Sequence, residues 1–186
     1  MPIGRAAQAI TGFGANPAAP VFTPGGTFAL VATGGASGNP VVFASTSSGV
    51  CSVSGATVTI LSAGTCALTA NQAGNGNYKA AAQAALDVSI GTGRQNITFG
   101  TQPPQSFSPN GTFALNPLAS ASSGLPVTYS TNTETVCTVS GATVTVLAAG
   151  TCTIAADQAG DANYAAAAPV TQSIVIGKAT QSISGF

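Results

Sequence analysis

Histidine and tryptophan are absent from this 186-residue chain, and charged residues make up only 4% of it. Without histidine there is no Ser-His-Asp or Cys-His arrangement for nucleophilic catalysis and no mixed Cys/His zinc site. Asp87, Glu134, Asp157 and Asp161 are the only acids, so an enzyme is not expected and no cofactor is implied. Four bases balance the four acids. No basic surface exists to displace counterions from a phosphate backbone, which excludes nucleic acid as a partner. No Lys/Arg cluster exists for anionic lipid either. The apolar runs fall far short of the ~20 residues of a membrane helix, so no membrane insertion is expected. Met1-Pro2 reads as an expression start, because no charged n-region or apolar signal core follows it.

What remains is a chain that is 45% hydrophobic, too apolar to read as disordered. Charge is scarce beside the roughly 25% of an average domain. The surface must therefore be built from Ser, Thr, Asn, Gln, Ala and Gly. Such a surface has little charge repulsion, which leaves room for association with other copies of itself.

The chain also repeats itself. Residues 37–90 align without a gap on residues 123–176, and 19 of the 28 positions from Cys51 to Tyr78 match Cys137 to Tyr164. A repeat of this size marks a module used in series, and it supplies an internal control for every motif. Residues 1–91 read as one repeat, 92–177 as a second, and 178–186 as the start of a third. The last assignment rests on Lys178-Ala-Thr-Gln-Ser-Ile183, which echoes Arg5-Ala-Ala-Gln-Ala-Ile10 and Arg94-Gln-Asn-Ile97. A longer array is expected, with neighbouring repeats of the same chain as partners.

Each repeat holds one Cys-x14-Cys pair, Cys51 with Cys66 and Cys137 with Cys152. The spacing fits neither a zinc knuckle nor a redox Cys-x-x-Cys, and no cysteine is left over. Structural disulfides are expected, and with them an extracellular or cell-surface location.

Short alternating runs separated by Gly, Pro, Ser and Asn predict seven strands per repeat. In the first these are Gln8–Phe13, Thr27–Ala32, Val41–Ser45, Val50–Ser54, Ala56–Leu61, Thr65–Asn71 and Ala82–Ile90. The second repeats them, from Gln95–Gly100 through Ala168–Ile176. A turn at Ser54-Gly55 makes one hairpin with Cys51, Val53, Val58 and Ile60 facing inward and Thr57 and Thr59 outward. Cys66, Leu68 and Ala70 face inward on the next strand. The expected fold is all-β: two tandem seven-stranded immunoglobulin-like β-sandwiches, each with one internal disulfide.

The stretch from Val136 through Cys137-Thr-Val-Ser-Gly-Ala-Thr-Val-Thr-Val-Leu-Ala-Ala-Gly-Thr-Cys152 to Ile154 resembles the central signature of bacterial immunoglobulin-like (Big-type) repeats. These occur in invasin- and intimin-type surface proteins and in large secreted adhesins. Asp157-Gln-Ala-Gly-Asp-Ala-Asn-Tyr164 resembles a subgroup found in long bacterial cell-surface proteins. The likeness covers essentially the whole chain and departs at the cysteines, where the broader group often has alanine. If the hairpin and the following strand lie in opposite sheets, as immunoglobulin topology implies, the bond Cys51–Cys66 pins one sheet to the other. The same resemblance puts Tyr78 and Tyr164 in a loop facing the preceding module. Tyr164 is then expected at the junction formed by Gly91, Gly93 and Arg94.

Other candidates fail the internal control. Asp157 and Asp161 suggest half a calcium site, but the first repeat has Asn71 and Asn75 there. Lys79 and Lys178 suggest isopeptide crosslinks, but Ala165 stands opposite Lys79. Thr57/Thr59 and Thr143/Thr145 are ordinary outward threonines of strands. Asn96-Ile-Thr98 and Asn110-Gly-Thr112 fit a glycosylation sequon. The leading expectation is a stalk or spacer module of a repetitive bacterial surface protein. A self-associating filament or matrix subunit is the alternative, and a glycan-binding module the second alternative.

Overall fold

The computed structural model describes residues 4–183. Met1-Pro2 and residues 184–186 of the third repeat lie outside the described residues. The chain divides into two compact units. One runs to Gly93 and includes Ala162–Tyr164; the other takes Arg94–Asp161 and the chain from Ala165 on.

The first unit contains β1 (Thr11–Asn16), β2 (Thr27–Thr33), β3 (Val41–Ser45), β4 (Cys51–Ser54), β5 (Thr57–Ile60), β6 (Gly64–Gln72) and β7 (Ala84–Ile90). They form two antiparallel sheets, ordered β1-β2-β5-β4 and β3-β6-β7. Side chains from both sheets share one core: Phe28 and Leu30 of β2, Val58 and Ile60 of β5, Leu68 of β6, Val88 and Ile90 of β7. The period-two alternation of these strands is what turns one face of each sheet inward.

The central hairpin has the register expected of it, with Cys51 opposite Ile60 and Val53 opposite Val58. Its turn lies one residue later than expected, at Gly55-Ala56, because Ser54 pairs with Thr57. Gly55 takes φ +60° and Ala56 does not have a positive φ. That is the pattern of a type II′ turn, in which glycine belongs at the first central position. The second unit repeats it with Gly141 at φ +55°.

The first strand begins at Thr11 and not at Gln8. The Gln8 side chain takes over the hydrogen bonding that a longer strand would have made with its backbone. Its Oε1 accepts from Ser37 N (2.8 Å), and its Nε2 donates to Lys79 O (2.9 Å) and Ala73 O (3.1 Å).

The second unit contains β8 (Ile97–Thr98), β9 (Gln105–Ser106), β10 (Thr112–Ala114), β11 (Ser120–Ala121), β12 (Thr128–Thr131), β13 (Cys137–Ser140), β14 (Thr143–Val146), β15 (Gly150–Asp157) and β16 (Val170–Gly177). The sheets are β10-β14-β13, β11-β8 and β12-β15-β16-β9. Seven strands were expected, and nine are present among the described residues. Asn116-Pro117, a cis bond, divides the counterpart of β2 into β10 and β11. Proline has no N–H to give a ladder, so the strand cannot run through it. The core nevertheless matches the first: Cys137, Val144, Val146, Cys152, Ile154, Ile174 and Ile176 are buried together.

Candidate functional site

Among the described residues no group of three or more His, Cys, Asp or Glu side chains could hold a metal ion. Asp157 accepts from Ser130 Oγ at 3.4 Å, and Asp161 is exposed. Lys79 and Lys178 are also exposed, whereas an isopeptide crosslink needs a buried lysine. Among the described residues no helix is long and apolar enough to cross a membrane.

The cysteines sit at the centre of each unit. Cys51 on β4 is bonded to Cys66 on β6, and Cys137 on β13 to Cys152 on β15, each with Cα atoms 5.7 Å apart. All four are fully buried. β4 and β6 belong to different sheets, as do β13 and β15, so each bond ties one sheet to the other.

A pair of hydroxyls lies over each disulfide. Ser45 Oγ and Ser47 Oγ are 3.2 and 3.5 Å from Cys51 Sγ. Thr131 Oγ1 and Thr133 Oγ1 are 3.6 and 3.5 Å from Cys137 Sγ. A disulfide sulfur carries no hydrogen and can only accept; Thr131 gives its one hydroxyl hydrogen to Thr153 O at 2.8 Å and so only packs against the sulfur. Ser47 and Thr133 hydroxyls also accept the backbone N–H of Ala67 (2.8 Å) and of Thr153 (2.9 Å). The sequence signal was a hydroxyl at both positions of both repeats, Ser-Thr-Ser and Thr-Asn-Thr. Alternation assigns these residues no role, because the bonds run from side chain to backbone.

A second recurring feature is a glutamine pair at one end of each unit. Gln72 is buried and holds the same loop that Gln8 holds at Ser37; its Oε1 accepts from Gly35 N (2.7 Å) and its Nε2 donates to Asn39 O (2.7 Å). In the second unit Gln95 Nε2 donates to Gln158 Oε1 and to Ala165 O (2.8 Å), while Ser123 Oγ donates to Gln95 Oε1. A buried amide costs stability unless its donors and acceptors are met. Among the described residues no buried side-chain nitrogen or oxygen lacks a partner.

Of the residues expected at a junction, Gly91, Gly93 and Tyr164 belong to the first unit, and Arg94, exposed, opens the second. Gly91 accepts from Phe22 N (2.7 Å) and donates to Pro20 O (3.0 Å). Gly93 bridges to Tyr164, donating to Asn163 O at 2.8 Å. Asn163 Oδ1 accepts from Ala63 N at 2.9 Å. The Tyr164 ring meets Phe22 edge-on, with centroids 5.3 Å apart and planes at 86°. In the same way Ala6 bridges to Tyr78, with Ala6 N donating to Asn77 O at 2.8 Å.

Gly93 has little room for a side chain. A Cβ there would lie 2.4 Å from the Phe22 carbonyl oxygen, whereas one at Gly91 would meet nothing nearer than Val21 Cγ1 at 3.5 Å. Gly93→Ala is therefore expected to destabilise the first unit by about 1–3 kcal/mol, as overpacking does. Gly91→Ala should stay within roughly 0.5 kcal/mol of the parent. Chemical denaturation of the two variants checks this, and equal effects would contradict the close approach.

Two hollows occupy equivalent flanks. One of about 550 Å³ is lined by Leu118, Ala119, Val127, Thr128, Tyr129 and Ala142. The other, about 290 Å³, is lined by Val41, Val42, Phe43, Gly55 and Ala56. Their walls are mainly apolar, and the Tyr129 phenol oxygen already accepts from Ala119 N at 2.7 Å. Two other hollows are more polar, one of about 410 Å³ at Arg5, Asn77 and Tyr78 and one of about 340 Å³ at Ser130, Thr131 and Glu134.

No protein-family model matches the chain, and no curated protein sequence matches it. Among solved structures it is similar to a C-terminal 282-residue fragment of intimin, solved in complex with the intimin-binding domain of the translocated intimin receptor. The identity is 19%, the TM-score 0.36, and the match covers 91% of this chain and 64% of the fragment. Domains 4 and 5 of the S-layer protein SbsC match at 15% identity and TM-score 0.30, covering 82% of each chain. Drosophila N-cadherin EC1-3 matches at 8% identity and TM-score 0.35, covering 95% of this chain and 67% of that one.

Proposed function

We propose that this chain is a pair of structural spacer modules from a repetitive extracellular or cell-surface protein of bacterial adhesin type. One observation carries the reading: what the two repeats share is framework. The cross-sheet disulfide, the hydroxyl pair over it, the glutamine pair and the Asn-Tyr corner occur twice. The four acids and Lys79 each occur in one repeat only. The signature resembling bacterial immunoglobulin-like repeats supports the same reading, as do the paired cysteines of an oxidising compartment. The role is to hold other parts of a surface protein in place, and the module's partners are further modules.

The test is binding. The two-repeat chain is expected to give no specific signal on a glycan array, because it has no tryptophan and its largest described hollow is mainly apolar. Specific micromolar binding to one glycan class would replace the spacer reading with the binding-module reading.

A second reading, an extracellular filament or matrix subunit, is favoured by one observation. Val31 of β2, Val42 of β3 and Val175 of β16 are 52%, 60% and 59% exposed, and with charged residues only 4% of the chain little repels another copy.

A further inference from the structure

β3 stands at the edge of its sheet: it pairs with β6 on one side, and among the described residues no strand pairs with it on the other. Antiparallel ladders alternate, and Thr46 N donates to Ala67 O at 2.9 Å, which fixes the phase of this one. Val42 and Ala44 therefore turn their backbone groups to β6, and Phe43 turns its N–H and C=O to the open edge. Natural edges are usually blunted by charge, proline or a bulge. Val41-Val-Phe-Ala-Ser45 carries no charge, and its register with β6 is unbroken over all five residues. Beside it lies the hollow of about 290 Å³ between Phe43 and the Gly55-Ala56 turn. We propose that β3 is an interaction surface whose partner is β3 of a second copy of this chain, paired antiparallel about a two-fold axis at Phe43.

Backbone phase and side-chain size select this register. With Phe43 opposite its own equivalent, each Phe43 N–H donates to the other copy's Phe43 C=O, and both open groups are met. Val42 then lies opposite Ala44 of the other copy. Both are exposed, Val42 at 60%, so each cross-strand pair sets a large side chain against a small one. Phe43 points to the opposite face, half-buried and stacked on Phe13 with centroids 5.6 Å apart. The second Phe43 ring arrives on that face, where the hollow leaves room. Such a contact is isologous and closes at a dimer. A single five-residue strand buries far less than the ~1,200 Å² of a stable complex, so the dimer is weak. It gains strength where many copies stand side by side, because their effective concentration is high.

The second repeat shows what a guarded edge looks like. β12 is also an edge strand, and Val127, Thr128, Tyr129, Gly141 and Ala142 line its hollow at the positions equivalent to those beside β3. Thr128 and Ser130 stand where β3 has Val42 and Ala44, so its outer face is polar. Exposed Glu134 stands where the first repeat has Ser48, and it lines a further hollow with Ser130 and Thr131. A strand added to β12 would meet that carboxylate. Charge beside an edge is a recognised device against pairing. The device is present at β12 and missing at β3, which is why the first unit carries the contact.

This inference rests on the self-association reading above and names the face that carries it. Sedimentation equilibrium of the full chain at increasing concentration is expected to show a reversible monomer–dimer step. Val42→Lys, at an exposed position, should lower the association constant about tenfold or more, because the two lysines stand diagonally across the pair. Adding Ala44→Glu to the same chain should restore association, since each lysine then faces a glutamate of the other copy. Melting curves of both variants should match the parent. In hydrogen exchange on the unaltered chain, the Phe43 amide should slow as concentration rises, while those of Val42 and Ala44, already bonded to β6, should not. Association that survives Val42→Lys, or a double variant no better than the single one, would overturn the β3 pairing and leave self-association to another face. A chain that stays monomeric at every concentration would overturn both.

Discussion

Reduction of the two disulfides is expected to lower the melting temperature of each unit by about 12–24 °C. Each bond closes a loop with a sequence separation of 15. Restricting the unfolded chain by a loop of that size contributes about 3 kcal/mol. For a domain of this length, 1 kcal/mol moves the midpoint by roughly 4–8 °C. The loss is large because little else compensates: no tryptophan fills either core, and net stabilities of single domains are only about 5–15 kcal/mol. Burial adds a kinetic side to the prediction. All four sulfurs are sealed from solvent, and a thiolate reductant must reach a sulfur to attack it. Native protein should resist reductant at room temperature and become sensitive only as the units open on heating or in denaturant. Calorimetry of oxidised and fully reduced protein, with four free thiols verified by mass, checks the shift. An unchanged midpoint in the reduced protein would show that the bonds contribute nothing to stability.

How far these features could be read from residues alone depends on the kind of bond that makes them. The hairpin around Gly55 and the inward faces of β5 and β6 follow from period-two alternation. The duplicate supports that register, because Val58 and Ile60 recur as Val144 and Val146. Features held by side-chain-to-backbone bonds leave no periodic trace. Gln8 reads as part of a strand because it sits in an alternating run, yet its amide displaces the ladder that strand would have made. Gln72 is a polar residue at an inward position, and only its contacts with Gly35 and Asn39 explain why it is tolerated there. The division of the second unit's counterpart of β2 was more accessible. Pro117 stands within it, and proline cannot donate to a central ladder. Near identity of the two repeats around the cysteines hid a difference lying outside that stretch.

Tyr164→Ala is expected to destabilise the first unit by about 2 kcal/mol, although Tyr164 lies in the second repeat of the sequence. Truncating a fully buried large aromatic costs about 3–5 kcal/mol, and Tyr164 is only half-buried. An edge-on ring pair adds about 0.5–1.5 kcal/mol beyond area, and Tyr164 makes one with Phe22. Its ring packs on the core holding Phe22, Phe28 and Ile60, and it is no member of the core built on Ile154 and Ile174. Hydrogen exchange should therefore quicken at Phe22, Ala63 and Gly93, whose amides donate to Gly91 O, Asn163 Oδ1 and Asn163 O. The amides of β15 and β16 should keep their protection. Tyr164→Phe retains the ring and should recover most of the loss. Tyr78→Ala is the matched control, since it removes the equivalent residue of the first repeat. Among the described residues Tyr78 makes no ring–ring contact and joins neither core, so its loss should cost under about 1 kcal/mol, as for surface positions. Equal effects from the two tyrosines, or a loss confined to β15 and β16, would mean that Tyr164 does not stabilise the first unit. Two repeats that match at 19 of 28 positions from the first cysteine to the tyrosine then differ in stability according to what their Asn-Tyr corner covers. A corner seated on an aromatic adds to the unit that receives it.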